Sequence, residues 1–232
     1  MDIIMVYIYA VDITYLPDPQ EFPEFMEKLP KVRKLKIKKC KQLQARKQSA
    51  GAGLLLGYIL KEYGLSDAKI KFGSNGKPEI EGIFFNLSHS KNMVICAVSD
   101  KAVGCDIEQV SVAPEKVAER FFSEAEQRYL SQYSGEEKNK EFYRLWTMKE
   151  SYMKMTGEGM RLLLHQFELH FGECVQLYRD GSLQDCFIKE YELLQDETLL
   201  YQVSVCAEED TFAEQVTFKT WEELVGDLHS DI

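Results

Sequence analysis

Apolar and polar positions change period several times along the chain, and each change predicts an element. Residues 3–13, Ile-Ile-Met-Val-Tyr-Ile-Tyr-Ala-Val-Asp-Ile, are β-branched and aromatic and predict a strand. Alanine, leucine, lysine and glutamine dominate from about 31 to 62 with no proline after Pro30, the composition of a helix. Ser74-Asn75-Gly76-Lys77-Pro78 is a turn signal and leads to Phe84-Phe85-Asn86-Leu87-Ser88-His89-Ser90. Two apolar runs follow, Met93–Val98 and Ala102–Ile107, and Ser99-Asp100-Lys101 between them predicts a hairpin. Past Pro114 the period turns helical, over 115–121 and over 123–133, the latter opening on the capping box Ser123-Glu124-Ala125-Glu126. A polar linker, Ser134–Lys140, precedes a helix of about 141–156. Runs at 167–171, 174–178, 186–194 and 199–207 predict strands, Arg179-Asp180-Gly181-Ser182 a turn, and Trp221–Leu228 a short closing helix.

The order strand, helix, hairpin thus occurs roughly twice. Ile95-Cys96-Ala97-Val98-Ser99-Asp100 and Val203-Ser204-Val205-Cys206-Ala207-Glu208 are faintly alike at similar places in the two halves. The expected fold is α+β, with two similar lobes in one chain related by a pseudo-twofold duplication and the active site in the cleft between them. The break falls near 110–115, giving an N-terminal lobe of 1–112 and a C-terminal lobe of 113–232.

With 232 residues, 45% hydrophobic and 28% charged, the chain has the composition of a globular protein. Leu54–Leu60, its longest apolar candidate for a membrane span, is far short of the roughly 18 residues a bilayer requires. Met1-Asp2-Ile3-Ile4 lacks the basic opening of a secretory signal, and six singly placed cysteines form no Cys-x-x-Cys, so a cytoplasmic protein with reduced thiols is expected. A net charge of −10 argues against a general nucleic-acid binder. The charge is uneven: Lys28 to Lys47 holds ten basic residues and no acid, leaving 18 bases against 38 acids elsewhere. Such a segment suits either a polyanionic ligand or a solvated helix face.

Three segments carry candidate chemistry. In Val103-Gly104-Cys105-Asp106-Ile107-Glu108 a strand's alternation puts Asp106 and Glu108 on one face, about 6–7 Å apart. Adjacent carboxylates raise each other's pKa unless a cation lies between them, and oxygen-only ligation suits magnesium; a water-facing strand end is the alternative. On the helix after Glu141, Phe142, Trp146, Lys149 and Met153 form an apolar stripe with Glu150 on its shoulder and Lys154 one turn beyond, a surface ion pair being the alternative there. Asn86-Leu87-Ser88-His89-Ser90 invites a hydrolase reading, but no Gly-x-Ser-x-Gly elbow accompanies it. His89, with Lys77 before it, reads better as an anion contact.

Five strings in order, Asn-Gly-Lys-Pro at 75–78, Phe-Asn-Leu-Ser-His-Ser at 85–90, Gly-Cys-Asp-Ile-Glu at 104–108, Arg-Phe-Phe-Ser-x-x-Glu at 120–126 and Trp-Thr-Met-Lys-Glu-Ser-Tyr-x-Lys at 146–154, resemble the signature of the surfactin-type 4'-phosphopantetheinyl transferases. Cys105 stands where that family usually has isoleucine or valine, and 180–232 carries little motif. The resemblance implies transfer of the 4'-phosphopantetheine group from coenzyme A to a serine of an apo carrier protein, releasing adenosine 3',5'-bisphosphate. It implies that Asp106, Glu108 and Glu150 hold one Mg²⁺, with Mn²⁺ a possible substitute. Glu150 would take the serine proton and Lys154 would steady the transferring phosphate. Ser88, His89 and Lys77 would hold the nucleotide, His89 on the 3'-phosphate, with Arg46 also on the nucleotide. One of Lys31, Arg33 and Lys34 would reach the 3'-phosphate. Partners would be coenzyme A and carrier-protein domains, with no nucleic acid and no membrane, and a duplicated chain would work as a monomer. A non-catalytic module docking its basic helix on an acidic partner, and a metal-dependent phosphoesterase, are the competing readings.

Overall fold

The computed structural model describes residues 5–22, 26–27 and 29–226. It is a mixed α/β fold of twelve short strands and six helices among those residues. In chain order these are β1 (Tyr7–Asp12), α1 (Lys31–Lys39), α2 (Leu43–Glu62), β2 (Lys71–Phe72), β3 (Pro78–Glu79), β4 (Phe84–Ser90), β5 (Met93–Ser99) and β6 (Val103–Gln109). Then come α3 (Glu115–Phe121), α4 (Glu124–Leu130), α5 (Gly135–Thr156), β7 (Phe167–Phe171), β8 (Val175–Arg179), β9 (Ser182–Leu183), β10 (Phe187–Gln195), β11 (Leu199–Ala207), β12 (Thr217–Lys219) and α6 (Trp221–Gly226). Of the expected first strand, Ile3 and Ile4 lie outside the described residues, as do the last two residues of the expected 221–228 helix.

Two sheets organise the chain. One has the order β12-β1-β5-β4, the other β10-β11-β6. The strings 95–100 and 203–208 fall mainly on the central strands of the two sheets, β5 and β11. The first sheet buries Val11, Val94, Cys96 and Val98 against Leu54, Leu55 and Ile59 of α2. Its other face packs Ile8, Ala10 and Ile95 on Cys105, Ile107, Val203 and Val205 of the second sheet. A third cluster gathers Phe142, Leu145, Met148 and Tyr152 of α5 with Phe122, Phe167 and Leu177.

Three expectations are corrected. The helix expected over 31–62 is two helices, because Cys40 is extended and Arg46 binds the Cys40 and Lys41 carbonyl oxygens (3.3 and 2.8 Å) that a continuous helix would have used internally. The helix expected from 141 begins at Gly135, so most of the polar linker is its exposed first turns. The β5–β6 hairpin does not form: β1 and β4 occupy both edges of β5, and β6 pairs with β11 instead. The true hairpin is β4–β5, turning on Lys91 (φ 46°). Sheet pairing also joins early and late parts of the chain, since β6 pairs with β11 in the second sheet and β12 returns to run parallel to β1.

Candidate functional site at the seam of β4, β6 and α5

β4 and β6 run side by side in the same direction without a backbone ladder, and polar side chains of β4 take its place. Asn86 Oδ1 accepts from the Cys105 amide (3.0 Å) and Ser90 Oγ from the Gln109 amide (3.1 Å). The same row meets the acids of β6: Ser88 Oγ donates to Asp106 Oδ1 (2.8 Å) and Ser90 Oγ to Glu108 Oε2 (2.7 Å). Asp106 and Glu108 therefore share a face, as the strand period required.

α5 lies flat on β6 because Gly104 has no side chain. A Cβ there would run into Ser151 O and Met155 N, and would stand 2.8 Å from Lys154 C, all α5 backbone. This contact brings Lys154 over the seam, where its Nζ donates to Asp106 Oδ1 (2.6 Å), Ser88 Oγ (2.9 Å) and Cys105 O (3.2 Å). Burial works to lower the Lys154 pKa, but the Asp106 charge, nearby Cys105 and the bond to Asp106 leave it raised. Glu150 does not pair with Lys154 by a hydrogen bond. Its carboxyl is pushed above the usual range by burial and then by Asp106, with Lys154 opposing. Burial likewise raises Glu108, opposed by its Ser90 bond.

The same helix holds a residue whose role the pattern did not disclose. Lys149, on the apolar stripe, is 0% exposed. Its Nζ donates to both Glu126 oxygens (2.6 and 2.9 Å) and to Phe167 O (2.7 Å). Glu126 also accepts from the Ser123 and Leu169 amides (2.8 and 3.0 Å). The capping box was legible in sequence; a lysine on an apolar stripe beside an acidic N3 position was the available sign of its second use.

The basic residues divide into two groups. His89 is exposed; partial desolvation, and then the charges of Lys36, Lys154 and Arg33, lower its pKa. Arg33 and Lys36 also border a cavity of about 220 Å³ together with Pro30, Leu56, Ile70, Phe72 and Pro78. Lys31 is exposed on the first turn of α1, and Lys34 Nζ turns back to Glu27 O (2.7 Å). Arg46 and Lys77 are engaged with the protein itself. Arg46 Nε donates to Asp18 Oδ1 (2.9 Å), its Nη2 to Asp18 Oδ2, and its Nη1 to the two carbonyls of the α1–α2 junction. Lys77, expected on the nucleotide, gives its three N–H groups to Lys154 O, Met155 O and Val103 O (2.6, 3.1 and 3.2 Å), and burial lowers its pKa. An ammonium with three donors has none left for a phosphate. Ser88, also expected on the nucleotide, sits between Lys154 and Asp106.

Among the described residues no three acidic, histidine or cysteine side chains close into a metal cage, and the cation touching Asp106 is Lys154. The donor set nonetheless fits a hard divalent ion. Asp106 is 4% exposed, and its Oδ2 is buried with no hydrogen-bond partner. Burial and the Asp106 charge hold Glu108 and Glu150 toward protonation, the situation a divalent cation relieves.

Residues 102–205, from the start of β6 to near the end of β11, match the model of the 4'-phosphopantetheinyl transferase superfamily. A 4'-phosphopantetheinyl transferase of Bacillus subtilis is 32% identical over 229 residues, covering 94% of this chain and 99% of its own. The 4'-phosphopantetheinyl transferase Sfp of Bacillus subtilis strain 168 is 34% identical over 201 residues, 82% of this chain and 88% of its own. Among solved structures, the holo-[acyl-carrier-protein] synthase of Thermotoga maritima covers 47% of this chain and 64% of its own at a TM-score of 0.37 and 20% identity. Identity sustained at this level over nearly the whole of two chains is not a coincidence of short strings: the chain belongs to the 4'-phosphopantetheinyl transferase superfamily.

Proposed function

We propose that this chain moves the 4'-phosphopantetheine group of coenzyme A onto a serine hydroxyl of an apo carrier protein. The observation that carries the reading is the convergence of Asp106, Glu108, Glu150 and Lys154 where β4, β6 and α5 meet. The serine oxygen attacks the phosphorus that bears the pantetheine arm. The bond from that phosphorus to the bridging oxygen breaks, and adenosine 3',5'-bisphosphate leaves with the electron pair. Glu150 accepts the serine proton as general base. Lys154, whose side chain is 27% exposed, swings from Asp106 to the transferring phosphate and offsets its charge. Asp106, Glu108 and Glu150 would hold Mg²⁺, or Mn²⁺, which would supply charge neutralisation on the diphosphate.

His89 with Arg33 and Lys36 forms the cationic corner for the 3'-phosphate, in preference to Lys31 or Lys34. Arg46 reaches the nucleotide only by releasing Asp18, so its part is to hold the α1–α2 junction beside that corner. The chain acts as two similar lobes, each a sheet with one long helix, α2 or α5. It works as a cytoplasmic monomer, in keeping with six free thiols. Nucleic acid is not its substrate.

Intact-mass measurement of several apo carrier proteins, each incubated with the enzyme, coenzyme A and Mg²⁺, tests the reading. One carrier gaining a single phosphopantetheine arm on its serine is the expected result. No gain on any carrier, with fatty-acid, polyketide and peptide types all tried, would sink it.

A further inference from the structure

The turn between β2 and β3 reaches across to the end of α5. Asn75 Nδ2 donates to Gly157 O (2.9 Å), and Lys77 Nζ donates to Lys154 O and Met155 O (2.6 and 3.1 Å). The last four carbonyls of a helix have no amide of their own, and Lys77 satisfies two of them. A cation there also faces the negative end of the helix dipole. Gly157, in the left-handed conformation at φ 70° that favours glycine, ends the helix, and the Lys77 stem runs beside it.

The third Lys77 bond, to Val103 O (3.2 Å), changes the meaning of the other two. Val103 opens the strand that carries Asp106 and Glu108, while Lys154 and Met155 close the helix that carries Glu150 and Lys154. One ammonium from a third element thus ties together the two halves of the site. We propose that Lys77, supported by Asn75, is a positioning residue: its ammonium fixes α5 along β6 and sets Glu150 and Lys154 against Asp106 and Glu108, instead of holding a phosphate. The Asn-Gly-Lys-Pro string is then a clamp on the reacting helix. The proposal rests on the transferase reading above.

Lys77→Met keeps the stem and removes the donors. Displacement of about 1 Å at a reacting centre can cost on the order of a hundredfold in rate. The expected result is a kcat reduced about ten- to a hundredfold, with KM for coenzyme A changed less than about twofold. Asn75→Ala, in an exposed turn, should lower kcat by a few-fold, again with KM held. In a Lys154→Ala background Lys77→Met should cost less than about threefold, since residues acting through one another are not additive. Hydrogen exchange of the Lys154–Gly157 amides should quicken in both single variants while α2 amides stay protected.

A KM rise exceeding the kcat loss, full additivity with Lys154→Ala, or quickened exchange at unchanged kcat would each overturn the clamp. If Lys77→Met does not fold, Asn75→Ala and Lys77→Arg decide by the same split. Calorimetric binding of coenzyme A, unchanged in Lys77→Met, separates the two readings. A wild type that loads no carrier ends the transferase reading, whereas lost coenzyme A affinity in the variant ends only the clamp.

Discussion

Lys154 Nζ lies 2.6 Å from Asp106 Oδ1, so that a helix and a strand meet through one ion pair at the centre of the site. Asp106 is nearly buried and Lys154 partly open to solvent, and the pair is therefore held by the protein on one side and reachable by a substrate on the other. Lys154→Ala should remove the charge that offsets Asp106. Breaking a fully buried pair costs about 3–5 kcal/mol; with Lys154 27% exposed, about 2 kcal/mol is expected. A drop of roughly 4–8 °C in Tm, read calorimetrically, corresponds to that loss for a chain of this size. A Tm equal to wild type would mean the pair is idle.

Glu150→Gln should cost the most in kcat of any single change at the seam. Loss of a general base alone is worth about 10²–10⁴-fold, and the amide also weakens the oxygen donor set. A chelator should abolish transfer in the wild type, and Mg²⁺ or Mn²⁺ should restore it. Carrier-loading rates measured by mass spectrometry check both; near-normal turnover of the variant would move the proton to another acceptor.

The alternation that put Asp106 and Glu108 on one face, and the helical period that put Glu150 and Lys154 near one another, were local facts and legible in sequence. So were the Ser123–Glu126 box and the strands of 167–207. What was not legible depended on which strand edges were free. An apolar run such as Met93–Ser99 looks the same whether its neighbour is β6 or β1, so a hairpin was expected where two sheets abut. The bonds of Lys77 to α5 were not legible for a related reason. A lysine beside a turn suits a phosphate or a row of helix carbonyls equally well, and only the arrival of α5 decides between them. The burial of Lys149 needed its partner, and Glu126 lies a helix away.

Lys149→Met should be among the most destabilising substitutions, because it leaves the Glu126 carboxylate buried without its cation. Orphaning one member of such a pair costs about 3–5 kcal/mol. Lys149→Met with Glu126→Gln should recover part of that loss, since the uncompensated charge is gone. Urea unfolding of the two single variants and the double gives the coupling, expected at about 1 kcal/mol or more. Additive losses would show that the two residues act separately.

Gly104→Ala adds one methyl where α5 backbone already stands. Backbone cannot rotate away as a side chain tip would, so the helix must lift from β6. Overpacking of this kind costs about 1–3 kcal/mol, and the displaced Lys154 should lower kcat by about a hundredfold. Gly104→Ala with normal Tm and normal rate would contradict the close approach of α5 to β6.

His89 gives the sharpest test of the cationic corner. Partial desolvation, Lys36, Lys154 and Arg33 depress its pKa and so favour the neutral ring in the free protein. A phosphate placed against it favours the charged form and raises that pKa on binding. Binding then takes up a proton between the two values, and affinity for coenzyme A must strengthen as pH falls through that window. KM should accordingly rise with pH in the wild type and level off once the bound ring is neutral. His89→Ala should raise KM by an amount equivalent to roughly 1.5–3 kcal/mol, the range for a hydrogen bond to a charged group. It should leave kcat nearly intact, because the 3'-phosphate is equally bound in ground and transition states. The phosphate titrates in the same region with its own pKa of about 6, so the informative quantity is the ratio of variant to wild-type KM across pH. That ratio should be large below the window and approach one above it. The variant should also distinguish coenzyme A from its 3'-dephospho analogue far less than wild type does. A ratio independent of pH, together with an undiminished preference for the 3'-phosphate and a reduced kcat, would remove His89 from the nucleotide and place it in the transfer step.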